Sequence, residues 1–501
     1  MARPLLAAAC LLAVAAAGRA AQDEFKDIES RITEVTLKNG WKLIVLERHE
    51  APVASFMTYA DVGSAQEVAG ITGLAHIFEH LAFKGSRTLG TKNWAEERLA
   101  LARVDEAFAA LQAERQKGRE ADAEKIKKLD AAFQAAQEAA GKFVVTNEFG
   151  EAIERAGGQG LNASTAEDRT NYFFSLPSNA AELWFYLEGQ RFGDPVLREF
   201  YKERGVVMEE RRLGESQPVS RLIEEFQATA YKAHPYHHTT IGFMSDLENI
   251  TRQDAEAFFK KYYKPSNLIS VIVGDVDTKH VLALAAKYLE SIPSGPKPAP
   301  LRTVEPPQTG ERRVTLRLQS QRVYVAGYHK PDVNDPDDAV YDAISSVLSG
   351  GRSSRLYRSL VKEKKIATQV GGFPGFPGEK YPGLFLFFAF AAPGHNNEEI
   401  EKALDAEIEK LRNEPVTAEE LDGVKRRTRA GILHQLDSNP GMADLLASYQ
   451  QLTGDWRHLF QQIDKINAVT PADVQRVARK TFTFDNRTVG VIEPLETAAA
   501  K

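Results

Sequence analysis

The sequence predicts an α+β chain made of two similarly folded halves. Three observations point there: a Pro-rich stretch near the middle of the chain, the same order of strands and helices on either side of it, and matching helix and strand signals where each half ends. At 501 residues the chain exceeds one ordinary core. Its 43% apolar and 26% charged residues are those of a globular protein. A net charge of −6, with no basic cluster carrying interleaved aromatics, gives no electrostatic footprint for nucleic acid.

Residues 1–20 stand apart. Arg3 precedes an apolar run from Leu5 to Ala17, and small residues follow through Gly18 and Ala20, the pattern of a secretory signal peptide cut after Ala20. The run is short for a bilayer span, so no membrane span is expected. The single cysteine, Cys10, falls inside this segment, and the mature chain would fold without disulfides in an oxidising compartment. The expected location is periplasmic or secreted.

Residues 21–290 read as the first half. Asn39-Gly40 signals a hairpin between strands at 35–37 and 42–46, and a third strand is expected at 54–59. A charged, alanine-rich insertion at about 94–142 predicts a helical hairpin. Val104, Phe108 and Leu111 share one stripe, Ile126, Leu129 and Phe133 another, and Lys117-Gly118 marks the break. Because it carries no candidate ligand, its replacement by a short Gly/Ser turn is expected to leave metal binding intact. The Pro-rich stretch, residues 291–312, reads as an extended linker.

The second half, 313–497, opens with strands at 314–318 and 323–328 and a helix at 338–348. Thr251 to Asp254 and Thr470 to Asp473 both predict a capped helix start, each followed by a strand, at 267–274 and 486–492. The run Gly371-Gly372-Phe373-Pro374-Gly375-Phe376-Pro377-Gly378 is interrupted by proline, and reads as a bent surface loop and not a phosphate cradle.

The chemistry centres on His76-Ile77-Phe78-Glu79-His80. In a helix the two histidines stack on one face, with Glu79 beside them. The surrounding apolar residues suit a buried helix, where such polar groups are costly without a partner. Zinc fits best, and a catalytic zinc takes three protein ligands and keeps one position open. His76 and His80 are two. The third is expected in Glu203 to Arg212, where positions 203, 207 and 210 share a face. Glu210 is the candidate ligand with Glu203 beside it, and Glu209 is the rival, since the sequence leaves the helix rotation open. Glu79 is the candidate general base for a zinc-activated water. With the two halves matched, His76, Glu79 and His80 fall near Ala343, Ser346 and Val347, so the second half cannot repeat the site.

At this point the chain resembles the pitrilysin or insulinase (M16) family of inverted-motif zinc peptidases, in its two-domain bacterial branch. The resemblance rests on the His-x-x-Glu-His run, the Glu203 and Glu210 pair, Gly160 to Thr165, His234-Pro235-Tyr236 with Gly242, and the duplicated halves. It implies two domains like those of the mitochondrial processing peptidase, enclosing a chamber, and one Zn2+ per chain. Glu210 takes the ligand role and Glu203 a supporting one. Asn162 and Ala163 fall in the strand that pairs with substrate backbone, and Tyr172 is a weaker candidate that core packing would also explain.

Two features depart from the family. The long spacing from His80 to Glu210 is accounted for by the helical insertion. In the second half, the Arg and Tyr that grip substrate carbonyls are replaced by Val361 and Thr368, while Arg355 and Tyr357 have the wrong spacing. The resemblance therefore implies a metal-free paralogous partner chain that supplies the pair, with Arg352 or Arg355 as the alternative grip. The expected activity is that of a zinc metalloendopeptidase acting on peptides or unfolded polypeptides. The alternative is a non-catalytic assembly subunit of the same fold, against which the intact His76, Glu79, His80 and Glu210 set argues.

Overall fold

Local chemistry starts the first sheet. In the computed structural model, which describes residues 26–495, Gly40 at φ 98° closes the hairpin between β1 (Ile32–Thr36) and β2 (Lys42–Glu47). The expected signal peptide lies outside the described residues. β3 (Val53–Ala60), β4 (Gln159–Thr165), β5 (Thr170–Pro177) and β6 (Leu268–Gly274) complete six strands in the order β1-β2-β6-β3-β5-β4. The second sheet contains β7 (Arg312–Leu318), β8 (Val323–Lys330), β9 (Ala367–Phe376), β10 (Gly383–Ala391) and β11 (Arg487–Pro494), in the order β7-β11-β8-β10-β9.

The duplication is one of topology. β2 runs parallel to β6 as β7 does to β11, and β6 is antiparallel to β3 as β11 is to β8. β1 has no counterpart in the second sheet. The helices used below are α1 (Leu74–Leu81), α2 (Trp94–Arg115), α3 (Ala123–Gly141), α4 (Phe200–Ser216), α5 (Pro218–Ala230), α6 (Asp338–Ser349), α7 (Ala418–Leu436) and α8 (Asn439–Thr453). Thr251 and Thr470 each form a capping box with the aspartate three residues on. Among the described residues no helix is long and apolar enough to cross a membrane.

Central strands are apolar on both faces because each sheet is covered twice. One face of the first sheet packs on helices of its own half, while the other meets Met442, Leu446 and Ala447 of α8, from the second half. The second sheet receives Leu222, Phe226 and Ala230 of α5, from the first half. The halves thus exchange one helix each, and the linker between Ile292 and Arg312 joins two bodies that complete one another's cores.

One expectation needs correction. The Gly-rich run at 371–378 is expected to be a bent surface loop, but residues 371–376 belong to β9, the outermost strand of its sheet. Its register shifts between Leu384 and Leu386 of β10, and Pro374 sits in that bulge, where a missing N–H breaks no ladder bond. The helical insertion is present, as α2 and α3, and it is packed into the first half. Phe108 of α2 packs 4.5 Å from the Tyr201 ring of α4, Phe133 of α3 lies 5.3 Å from both rings, and Arg198 is fully buried in an ion pair with Glu97. Its inner face is part of the first core.

Candidate active site

Helix α1 forms where apolar residues alternate with the motif. Leu74, Ala75, Ile77, Phe78 and Leu81 are buried, and Phe78 packs against Phe258 and Tyr263 at 5.9 and 5.2 Å. That packing fixes the rotation of the helix and turns His76 and His80 to its open side. The two imidazoles lie 5.0 Å apart, nearly perpendicular.

Helix α4 crosses α1 and is held by its own buried face, on which Phe200, Tyr201, Arg204, Val207 and Arg211 lie. Arg204 donates to the Ile250 carbonyl at 2.7 Å, and Arg211 pairs with Glu224 and Glu215. These anchors leave Glu203 and Glu210 facing the histidines. One carboxylate oxygen of Glu210 is 3.7 Å from the Nε2 of both His76 and His80. Glu209, the rival, points away and pairs with Arg212, its side chain 69% exposed.

The three side chains offer ligand atoms all within 4.8 Å of one another, and among the described residues they form the one group of this kind. Two imidazole nitrogens and one carboxylate oxygen are a donor set that zinc accepts, and tetrahedral ligands at zinc bond lengths stand roughly 3.4 Å apart. The observed spacing fits. Burial pulls the His76 pKa down, with Glu210 opposing, and its Nδ1 is buried with no hydrogen-bond partner.

Two further charged side chains, Glu203 and Lys84, stand beside this group. Glu203 faces His80 Nδ1 at 3.6 Å and raises the His80 pKa against burial. Burial opposes ionisation of Glu203, yet His80 and Lys84 outweigh it and hold the carboxyl at about 2. Lys84 is not among the residues expected from the sequence. It reaches Glu203 at 2.7 Å and Glu199 at 3.0 Å, and its position four residues beyond His80 was the available signal.

β4 is the outer strand of the first sheet and packs beside α1. Asn162 is exposed there, and Ala163 is buried opposite Tyr172. Tyr172 itself belongs to the core, 4.6 Å beneath the guanidinium of Arg191. His234 caps the Tyr236 amide, and Tyr236 donates to Asp168 at 2.7 Å. Gly242, at φ 77°, lets its loop approach the start of α1 so closely that a Cβ would stand 2.3 Å from the Thr72 carbonyl.

The second half holds a different arrangement in the matching place. On α6, Ala343 and Val347 are buried, and Ser346 accepts from Arg427 of α7 at 2.8 Å. Arg355 is tied to Glu420 by two bonds, at 2.6 and 2.8 Å.

The chain is similar to known proteins over most of its length. The family described as Insulinase (Peptidase family M16) matches residues 43–110 and 139–242, leaving out most of the α2–α3 hairpin, and the Peptidase M16 inactive domain matches 249–428. The zinc protease PqqE of Helicobacter pylori is 30% identical over 470 residues, 92% of each chain. A crystal structure of a protease from Helicobacter pylori superimposes with a TM-score of 0.77 at 29% identity, over 92% of this chain and 99% of that one. The periplasmic protease PqqL of Escherichia coli shares the fold, with a TM-score of 0.68 at 17% identity over 93% of this chain and 48% of that one.

Proposed function

We propose that this chain, which belongs to the insulinase family of M16 peptidases and is a zinc protease, cleaves within peptides or unfolded polypeptides outside the cytoplasm, using one zinc ion held by His76, His80 and Glu210. The observation that carries the reading is the convergence of three ligand atoms within 4.8 Å, two of them on the helix that also carries Glu79. The apolar leader read in residues 5–17 and the periplasmic relative PqqL support the location.

Zinc, when bound, polarises the scissile carbonyl and lowers the pKa of water. Glu79 then acts as general base, accepting a proton from the attacking water at its carboxylate and passing it to the departing amine. Glu203, anchored by Lys84, holds the His80 ring in orientation. The free edge of β4 at Asn162 and Ala163 takes the substrate as an added strand, so that backbone hydrogen bonds place the scissile bond over the histidines.

A metal-free relative completes the site by supplying the Arg and Tyr absent at Val361 and Thr368. The Arg355–Glu420 pair favours this second chain over a grip from within, since Arg355 is already engaged.

The test is metal content and turnover of a fluorogenic unfolded substrate, before and after chelation. About one zinc per chain and activity lost to a chelator and restored by zinc are expected. A chain that binds no metal, or turnover indifferent to chelation, would overturn the reading.

A further inference from the structure

Helix α1 has no cap of its own. It begins after Gly73, which sits at φ 90° and has no side chain to offer the first amides. Those amides are nevertheless bonded. Glu67, six residues upstream in the loop from β3, accepts from the Gly73 N–H at 2.9 Å with one oxygen and from the Ala75 N–H at 2.7 Å with the other. The residue is 4% exposed, and neither bond comes from a cation. A buried carboxylate costs stability unless it is bonded, and here it lies where the helix dipole is positive.

The loop that carries Glu67 is itself tied down. The Glu67 amide donates to the Ser64 carbonyl at 3.0 Å, the Gln66 carbonyl accepts from the Tyr262 hydroxyl at 3.1 Å, and the Ser64 and Ala65 amides bond to the turn between β4 and β5. Downstream, Asp246 accepts from the Thr72 amide and hydroxyl at 3.2 and 2.7 Å. Ala75 immediately precedes His76. A clamp on its amide therefore fixes both the axial position and the rotation of the turn that carries the first histidine.

We propose that Glu67 is a positioning residue for the metal centre, an external cap that sets helix α1 so that His76 and His80 meet Glu210. The inference rests on the reading of these three as zinc ligands. Glu67 touches neither metal nor substrate. Its loop bonds to the β4–β5 turn through the Ser64 and Ala65 amides, and its carboxyl to the first turn of the histidine helix.

The experiment compares the full chain with Glu67→Gln, whose amide nitrogen would face an N–H donor. Zinc affinity is measured by competition with a chromophoric chelator, cobalt-substituted protein by its visible absorption, and the Gly73 and Ala75 amides by hydrogen exchange. Slow exchange in the wild type, affinity weaker by roughly tenfold or more in the variant, and a changed cobalt spectrum with an unchanged far-UV spectrum are expected. Equal affinity and an equal spectrum in a folded variant would overturn the inference. So would rapid exchange of both amides in the wild type, which settles the matter even if the variant fails to fold. A wild-type chain that takes up no zinc would instead sink the reading of the site.

Discussion

Glu203 joins His80 to Lys84: one carboxylate oxygen lies 3.6 Å from His80 Nδ1 and the other takes the Lys84 ammonium at 2.7 Å. A ligand histidine held at its second nitrogen keeps its ring oriented and its metal-facing nitrogen more basic. Glu203→Gln is therefore expected to weaken zinc binding about tenfold, without the loss of occupancy that removing a ligand causes. Chelator competition measures it. An affinity within twofold of wild type would mean that α1 packing alone orients the ring.

Glu79 and Glu210 should separate cleanly. Glu79→Gln keeps the shape but cannot accept a proton, so zinc stays bound while turnover falls roughly 10²- to 10⁴-fold. Glu210→Gln lowers zinc content. Glu209→Gln leaves both unchanged, because that side chain points to Arg212 and away from the histidines. Metal content and initial rates of the three variants decide the assignment.

Much of this site was legible because it is local. The His76 to His80 spacing, the capping boxes at Thr251 and Thr470, and the turn at Asn39-Gly40 are each set by residues a few positions apart. What escaped is set by packing between distant segments. Leu222 and Phe226 announce a buried helix face, but nothing near them says that the sheet they cover belongs to the other half. Glu67 is likewise an ordinary loop glutamate until the fold places it at the start of α1. The Gly371 to Gly378 run failed for another reason: its prolines read as breakers, and an edge strand with a bulge tolerates them.

The hairpin contributes to stability and holds no ligand of the site. Replacing residues 94–142 with a short Gly/Ser turn should destabilise the chain by about 3–5 kcal/mol or more, because it strips the buried Arg198 of Glu97 and uncovers Tyr201. Phe133→Ala alone should cost about 3 kcal/mol. Urea denaturation of both variants checks this. A deletion with the wild-type midpoint would show the hairpin to be an appendage.

Arg355 and Glu420 predict a pH effect. Arg355 holds the Glu420 carboxyl at about 2, below its ordinary 4.5. The stabilisation is thus present above roughly pH 4.5 and fades as pH falls towards 2. Glu420→Gln should cost about 1 kcal/mol at pH 7, an amount limited by solvent screening, and only a small fraction of that at pH 2. Denaturant midpoints at the two pH values measure it, and a gap that persists undiminished at pH 2 would contradict the pairing.

The partner prediction follows from the same arginine. Orienting the scissile bond contributes heavily to rate, and Val361 and Thr368, where the family resemblance leads one to expect the gripping Arg and Tyr, offer neither a guanidinium nor a phenol, while Arg355 pairs with Glu420. Arg352 is exposed on the loop after α6. A zinc site of this kind should turn over slowly by itself. Rates measured on the purified chain at rising concentration are expected to stay low and to rise at least about tenfold when a metal-free relative carrying the Arg and Tyr is added. Replacing that Arg in the relative should cancel the gain while leaving the complex intact by size-exclusion chromatography. Robust turnover by the isolated chain, unchanged by the second protein, would show that the substrate is gripped from within.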